Sequence, residues 1–273
     1  MPARKRRTFV ALVTLLLAAE PLRAQQVLEL TAMDFAFRAP PRATAGLTTI
    51  RLRNTGAKLH HVQLFRLEQG KRLSDLFPVL YANKGIHNAP AWAVAAGGPS
   101  AALPGQSIEV TQRLEPGRYA VICWIPAPDG QLHFMKGMMA ELEVTGPAPA
   151  QPEPRASIRV ALSEYRATFS TPLSAGTHTL RLENTGRQDH EFLLVRLKPG
   201  QSPEDVEHWS GAGQTTAAPM ESWVGLAGIR PGGVAWLTVT LTPGRYAVIC
   251  LAPDERDGRP HLAHGFRQVI EIR

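Results

Sequence analysis

Two cysteines in 273 residues rule out a disulfide framework; at most one bridge, Cys123 to Cys250, is open to this chain. Charged residues make up 19%. No Lys/Arg run with interleaved aromatics occurs beyond the first two dozen residues, which excludes a nucleic-acid footprint. The longest apolar stretch falls well short of the roughly 20 residues that a membrane-spanning helix needs. Hydrolytic signatures are missing: there is no Gly-x-Ser-x-Gly elbow, no His-Glu-x2-His and no phosphate-cradling glycine loop. Helical periodicity occurs only as short interruptions.

What the chain does have is a repeat. Pro116-Gly-Arg-Tyr-Ala-Val-Ile-Cys123 returns as Pro243-Gly-Arg-Tyr-Ala-Val-Ile-Cys250, and Asn54-Thr-Gly-x3-His60 as Asn184-Thr-Gly-x3-His190. The histidine precedes its cysteine by 63 residues in one copy and 60 in the other, and a further histidine, His133 or His261, follows by 10 or 11. His, Cys, His, twice over, is a soft-metal ligand set. The rival readings of the cysteines are a Cys123–Cys250 bridge across the copies and two buried structural thiols.

Residues 1–24 stand outside the repeat and have the make-up of an export signal: basic Arg4, Lys5, Arg6 and Arg7, an apolar stretch from Phe9 to Ala19, and a cleavage site at Leu22-Arg-Ala24. A retained N-terminal anchor is the competing reading. On the first, the mature chain begins near Gln25 and resides outside the cytoplasm, periplasmic or secreted, without stable membrane insertion. Losing five Lys/Arg and one Glu lowers the formal net charge from +7 to +3. The basic balance therefore belongs mostly to the precursor and implies no nucleic-acid partner.

Thr145-Gly-Pro-Ala-Pro-Ala-Gln-Pro-Glu-Pro154 separates the copies as an extended spacer. The expected organisation is a signal (1–24), a first domain (25–145), a Pro-rich linker (146–155) and a second domain (156–273). Gly46 to Arg53 and Gly176 to Glu183 alternate apolar with polar and stop at an Asn-Thr-Gly turn, as half-buried strands do. Further strands are expected at Val27 to Thr31, Ser107 to Leu114, Arg118 to Ile122 and Met138 to Val144. The class is all-β, a β-sandwich in each half, with short helices at Ser202 to Trp209 and Ser74 to Tyr81. Trp92 and Trp223, in the connections before the cysteine strands, are expected to pack over the sandwich ends.

Period-two geometry puts Tyr119, Val121 and Cys123 on one face of their strand and His60, Val62 and Leu64 on one face of theirs, both inward, and turns His61 outward. A core histidine bonded to its neighbours is the alternative for His60. Pro128-Asp-Gly130 is a turn that brings His133 back towards Cys123. Met138 adds a thioether. Thiolate, two imidazoles and a distant thioether are the donors of a type 1 copper site.

These phrases resemble the cupredoxin, or blue-copper, family, once per half and over nearly all of the mature chain. The matching residues are the Asn-x-Gly-x3-His turn and strand, the Gly-x-Tyr-x3-Cys strand and the His-x4-Met step. The resemblance implies two tandem Greek-key β-sandwich domains with copper near one end of the fold. It makes His60, Cys123, His133 and Met138 the first domain's ligands, with His190, Cys250 and His261 as a second set. Small members of the family carry electrons between redox proteins; multi-domain members are oxidases or nitrite reductases.

The chain departs from the family pattern in several places. Nine residues separate Cys123 from His133, a loop like that of the copper nitrite reductases. The family's bracing Asn after the first histidine is replaced by His61 and Glu191. Phe266 takes the place of Met138 in the second copy, which is expected to raise that centre's potential or to mark a decayed site; His264 is either a substitute ligand or an exposed loop residue. Where the family's catalysts carry a histidine before the cysteine stand Ile122 and Ile249, and no His-x-His pair occurs. The expectation is therefore a non-enzyme: an exported copper protein, electron carrier or copper holder, working mainly through its first domain with a redox or copper-handling partner protein. The alternatives are a metal-free scaffold module and, from Met135, Met138 and Met139, a Cu(I) storage or delivery protein.

Overall fold

In the strand Gly46–Asn54, Ile50 and Leu52 point inward and are fully buried while Arg51 and Arg53 face out. Arg51 reaches Glu29 and Glu109 on the two neighbouring strands, at 2.5 Å each. The alternation that fixes the buried face is thus matched by a cross-strand charge ladder on the other. The computed structural model to which these residues belong describes residues 26–83, 89–148 and 150–273. The expected export signal, 1–24, lies outside the described residues.

The architecture is all-β. One eight-stranded sheet runs through both copies in the spatial order Arg166–Phe169, Ile158–Ser163, Gly176–Asn184, Val234–Leu241, Ser107–Leu114, Gly46–Asn54, Gln26–Met33, Ala36–Arg38. Its first-copy part faces a five-stranded sheet containing Gln63–Leu67, Gly117–Ile122 and Met139–Thr145. Its second-copy part faces a four-stranded sheet of Met220–Ile229, His190–Leu197, Gly244–Ile249 and Arg267–Ile272. Between the layers lie fully buried Leu30, Leu64 and Val121 in one copy and Leu182, Phe192 and Val248 in the other. Each such side chain contributes about 1.5–3 kcal/mol of transfer free energy.

The repeated phrases have structural reasons. Buried Asn54 donates from Nδ2 to Lys58 O (2.7 Å) and Ala102 O (2.8 Å) and accepts the Gly56 N–H at Oδ1 (2.9 Å). Asn184 repeats all three bonds with Gln188, Ile229 and Gly186. A buried amide is tolerable because each of its polar atoms is satisfied. In the cysteine strands, Tyr119 Oη donates to Glu115 O (2.9 Å) and Tyr246 Oη to Thr242 O (3.1 Å), a tyrosine corner that pins each strand's start.

Among the described residues two α-helices interrupt the strands: α1 (Leu73–Ala82) and α2 (Pro203–Gly211). Helix α2 begins as its sequence demands, with the Ser202 hydroxyl accepting the Asp205 N–H and Pro203 in the first turn. The spacer after the first copy packs back onto it, Gln151 Oε1 accepting the Leu47 N–H at 2.7 Å.

The copies are joined by more than the spacer. Thr111 and Gln112 pair with Trp236 and Ala235, which makes the long sheet continuous. Beside this seam, the segment before the Ser107 strand lies against Met220–Ile229. Gly97 N donates to Gly228 O (2.9 Å), Ala227 N to Gly98 O (2.9 Å) and Ser100 N to Gly225 O (3.0 Å). Gly97 follows Trp92 by five residues and Gly228 follows Trp223 by five, so equivalent positions meet and the copies face each other about a local two-fold. Buried Gln63 bridges to Gly228 O (2.7 Å), and buried Gln112 holds Ala96 O (2.6 Å) and the Gly98 N–H (2.9 Å). Trp223 is buried as expected, but within a strand and bonded through Nε1 to Ser100 Oγ of the other copy (3.3 Å). Trp92, immediately before the strand Ala93–Ala95, is half-buried.

Candidate metal centre

The Asn54 turn launches the short strand His60–His61, and His60 is fully buried with its Nδ1 pointing into the sandwich. Cys123 follows the strand Gly117–Ile122 and is also fully buried. The chain then doubles back as the Pro-Asp-Gly turn requires: Gly130 N bonds Ala127 O (2.9 Å), Ala127 N bonds Gln131 O (2.8 Å), and His133 N bonds Ile125 O (2.9 Å). One 3-10 turn, His133–Lys136, ends at Gly137 with φ +104°, a left-handed conformation that glycine adopts without a Cβ penalty. Met138 comes next, fully buried, its carbonyl accepting the Cys123 N–H at 3.2 Å.

These elements converge. His60 Nδ1 and His133 Nδ1 are 3.2 Å apart, Cys123 Sγ and His133 Nδ1 are 3.5 Å apart, and all three donor atoms lie within 4.8 Å of one another. The second copy repeats the cluster with His190 Nδ1 to His261 Nδ1 at 3.1 Å and Cys250 Sγ to His261 Nδ1 at 3.4 Å. Both cysteines are free and buried, so the bridge between copies is not formed. Cys250 N donates to Phe266 O (3.3 Å) as Cys123 N does to Met138 O, so Phe266 occupies the place of the methionine and packs against His190 with ring centroids 5.6 Å apart. His264 stays out of this cluster; it bonds Asp257 at 3.1 Å.

A carboxylate behind each first histidine was not anticipated. Asp34 Oδ1 accepts from His60 Nε2 (3.0 Å), Ala57 N (2.9 Å) and Lys58 N (3.2 Å). Burial works against its charge, but these bonds prevail and hold its pKa below the ordinary value. With Nε2–H given to Asp34, His60 Nδ1 is left as a lone pair facing the cluster. In the second copy Glu164 lies 3.8 Å from His190 Nε2, a looser contact. Gly56 makes room for this arrangement, since a Cβ there would meet His60 Nε2 at 2.7 Å and clash with the Asp34 carboxylate. Beside each acid an aromatic residue with positive φ, Phe35 (+64°) or Tyr165 (+62°), sets its ring edge-on to His133 or His261 at 5.1 or 5.6 Å. Such backbone is uncommon for an aromatic residue and is held where surroundings over-determine it. The signal for all four was present: Asp34 and Phe35 precede Glu164 and Tyr165 by 130 residues, the offset of His60 from His190.

The cluster's electrostatics suit a cation. Burial pushes the Cys123 thiol up to about 12 and the Cys250 thiol up as well. Desolvation also lowers His60 and His190, and takes His133 and His261 down to about 4. Neutral imidazoles are the metal-binding form, and a coordinated ion reverses the preference of the thiol. Two Nδ1 atoms about 3.2 Å apart also fit an ion at about 2.0 Å from each, an ordinary metal–nitrogen length. The residues present fit a soft metal in both copies.

His61 is turned outward from its own sandwich, as the alternation implies, yet it is not exposed to solvent. The second copy covers that side and leaves it only 4% exposed. Neither of its ring nitrogens has a hydrogen-bond partner among the described residues, and desolvation, with help from the charges of His133 and His60, lowers its pKa to about 3. Glu191, its counterpart, is buried and accepts the Leu251 N–H at Oε2 (3.2 Å), tying the histidine strand to the cysteine loop. Burial pushes its pKa up to about 7 against the pull of that bond.

No protein-family model matches the sequence, and no curated protein is significantly similar to it. Among solved structures, auracyanin A from Chloroflexus aurantiacus, described as a "blue" copper protein, is 22% identical, matching 45% of this chain and 100% of its own at a TM-score of 0.31. The blue copper oxidase of Nitrosomonas europaea is 14% identical over 91% of this chain and 86% of its own, with a TM-score of 0.27. The copper nitrite reductase of the same organism is 15% identical over 92% and 94%, with a TM-score of 0.25. These last two structures, matched along nearly the whole chain, are named as an oxidase and a reductase, and the expectation of a non-enzyme, which rested on Ile122, Ile249 and the missing His-x-His pair, is withdrawn.

Replacing Asp34 with alanine frees the His60 ring and removes its tautomer lock. Loss of such a buttress costs about 10–100-fold in metal affinity. We expect copper retention by the first cluster to fall by that factor with the second unchanged, as read by competition with a chelator.

Proposed function

We propose that the protein is an exported copper redox protein with a type 1 copper site in each copy. The observation that carries the reading is the convergence of one buried sulfur and two buried imidazole nitrogens, built twice by the same local devices. His60, Cys123 and His133 would hold the metal in the first copy, with Met138 as the distant fourth donor, and His190, Cys250 and His261 in the second. When bound, copper supplies one-electron exchange between its Cu(I) and Cu(II) states.

The chain's own residues do the rest. Asp34 orients His60; Phe35 and Tyr165 shield the edges of His133 and His261; the sandwich core excludes water and leaves the donors little room to rearrange. Met138 against Phe266 makes the two pockets unequal, the second lacking a thioether. The basic and apolar start of the sequence supports export to a periplasm or beyond. Among the described residues no helix is long and apolar enough to cross a membrane.

Elemental analysis of copper-loaded, dialysed protein together with a reductive titration tests this. Two copper ions per chain and two one-electron steps, the second-copy centre reduced first, are the expected result. A chain that keeps no copper, or copper that takes up no electrons, refutes the proposal.

A further inference from the structure

His61, Trp124, Glu191 and Leu251 directly follow His60, Cys123, His190 and Cys250, and all four line one cavity of about 750 Å³ between the copies. That volume falls in the range of small-molecule sites, which favour the junctions of domains. The polar equipment is lopsided. Three carboxylates, Glu191, Glu204 and Glu207, line the cavity with no Lys or Arg among its walls. Glu204 is neutralised by Arg267 at 3.0 Å. The carboxylate of buried Glu191 has no cationic partner among the described residues and accepts only the Leu251 N–H. His61 also lines the cavity, 4% exposed and with neither ring nitrogen hydrogen-bonded among the described residues.

An unpaired buried carboxylate and an unpaired buried imidazole call for a ligand that brings positive charge and a hydrogen-bond donor. Anions are disfavoured by the carboxylates. Among the described residues, the groups with three donors close enough to share an ion include neither His61 nor Glu191, which argues against a bare metal ion. The indoles of Trp124 and Trp223 on the walls favour an organic body with a flat face, where a cation also gains from the ring quadrupole. We infer that this cavity binds a small aromatic amine, its ammonium against Glu191 and a hydroxyl or N–H donor towards His61. Binding of this kind does not depend on copper, so it stands or falls separately from the metal sites, yet it sets the ligand one residue from both of them.

Calorimetry on the metal-free full-length chain, with tyramine as probe, tests the inference without redox chemistry. Tyramine is expected to bind at least tenfold more tightly than 4-hydroxyphenylacetate, which has a carboxylate in place of the amine. Glu191→Gln keeps an oxygen for the Leu251 N–H; it is expected to weaken tyramine at least tenfold while changing the neutral 2-(4-hydroxyphenyl)ethanol less than threefold. His61→Phe is expected to weaken both tyramine and the alcohol. Equal affinity for amine and acid, indifference of tyramine to Glu191→Gln, or no heat at millimolar tyramine would overturn the inference. So would displacement of tyramine by Zn²⁺ that His61→Phe abolishes, since it would make the cavity an ion site. The comparison of amine with acid needs no variant, so it decides even if Glu191→Gln fails to fold.

Discussion

Copper-loaded Cys123→Ser protein is expected to lose about half of the intense blue absorption of the parent, and the Cys123→Ser, Cys250→Ser double variant all of it. Thiolate-to-copper charge transfer needs sulfur, and each cluster contains one cysteine, fully buried. Serine is nearly isosteric, and the hydrogen bond from His61 N to Cys123 Sγ (3.5 Å) has an oxygen to replace the sulfur, so the fold should persist. Visible absorption at fixed copper stoichiometry reads the result. Full colour in the double variant would mean that neither cluster is the chromophore, whereas complete loss in one single variant would assign all the copper to that copy.

Copper uptake should strengthen about tenfold per pH unit, or about a thousandfold between pH 5 and pH 8. The sign follows from the free protein. Burial keeps the Cys123 thiol protonated, with its pKa pushed up to about 12, so over this range each ion bound as a thiolate complex must release one proton to solvent. His133, brought down to about 4 by desolvation, is already neutral at pH 5 and adds no second proton. Below pH 4 it does, and the dependence should steepen. Competition against a chelator of known pH behaviour measures the slope; a flat profile would mean that the thiol is not a ligand.

The three donors of each cluster were legible because local sequence builds them: the Asn-Thr-Gly turn, the tyrosine-cornered strand and the Pro-Asp-Gly return are short-range devices, each written twice. Phe266 could be read in the methionine's place for the same reason. The fate of His61 was not legible. Alternation correctly turned it away from its own core, but what covers the far side of a strand is decided by residues some 130 to 160 positions away, such as Glu191 and Trp223, whose placement leaves no periodic trace. Asp34 and Glu164 escaped notice because an acid in a turn is ordinary; only the shared offset with the histidines singles them out. The seam between Ser107–Leu114 and Val234–Leu241 was likewise invisible, since a strand destined for an edge and one destined for a partner alternate alike.

That seam commits the chain to its duplicated state. Severed from each other, the copies would uncover the backbone groups that Thr111 and Gln112 now pair with Trp236 and Ala235, lengthening the kind of raw border to which stray strands add. Doubling the gene thus did more than double the number of clusters: at this seam each half covers part of the other's sheet border.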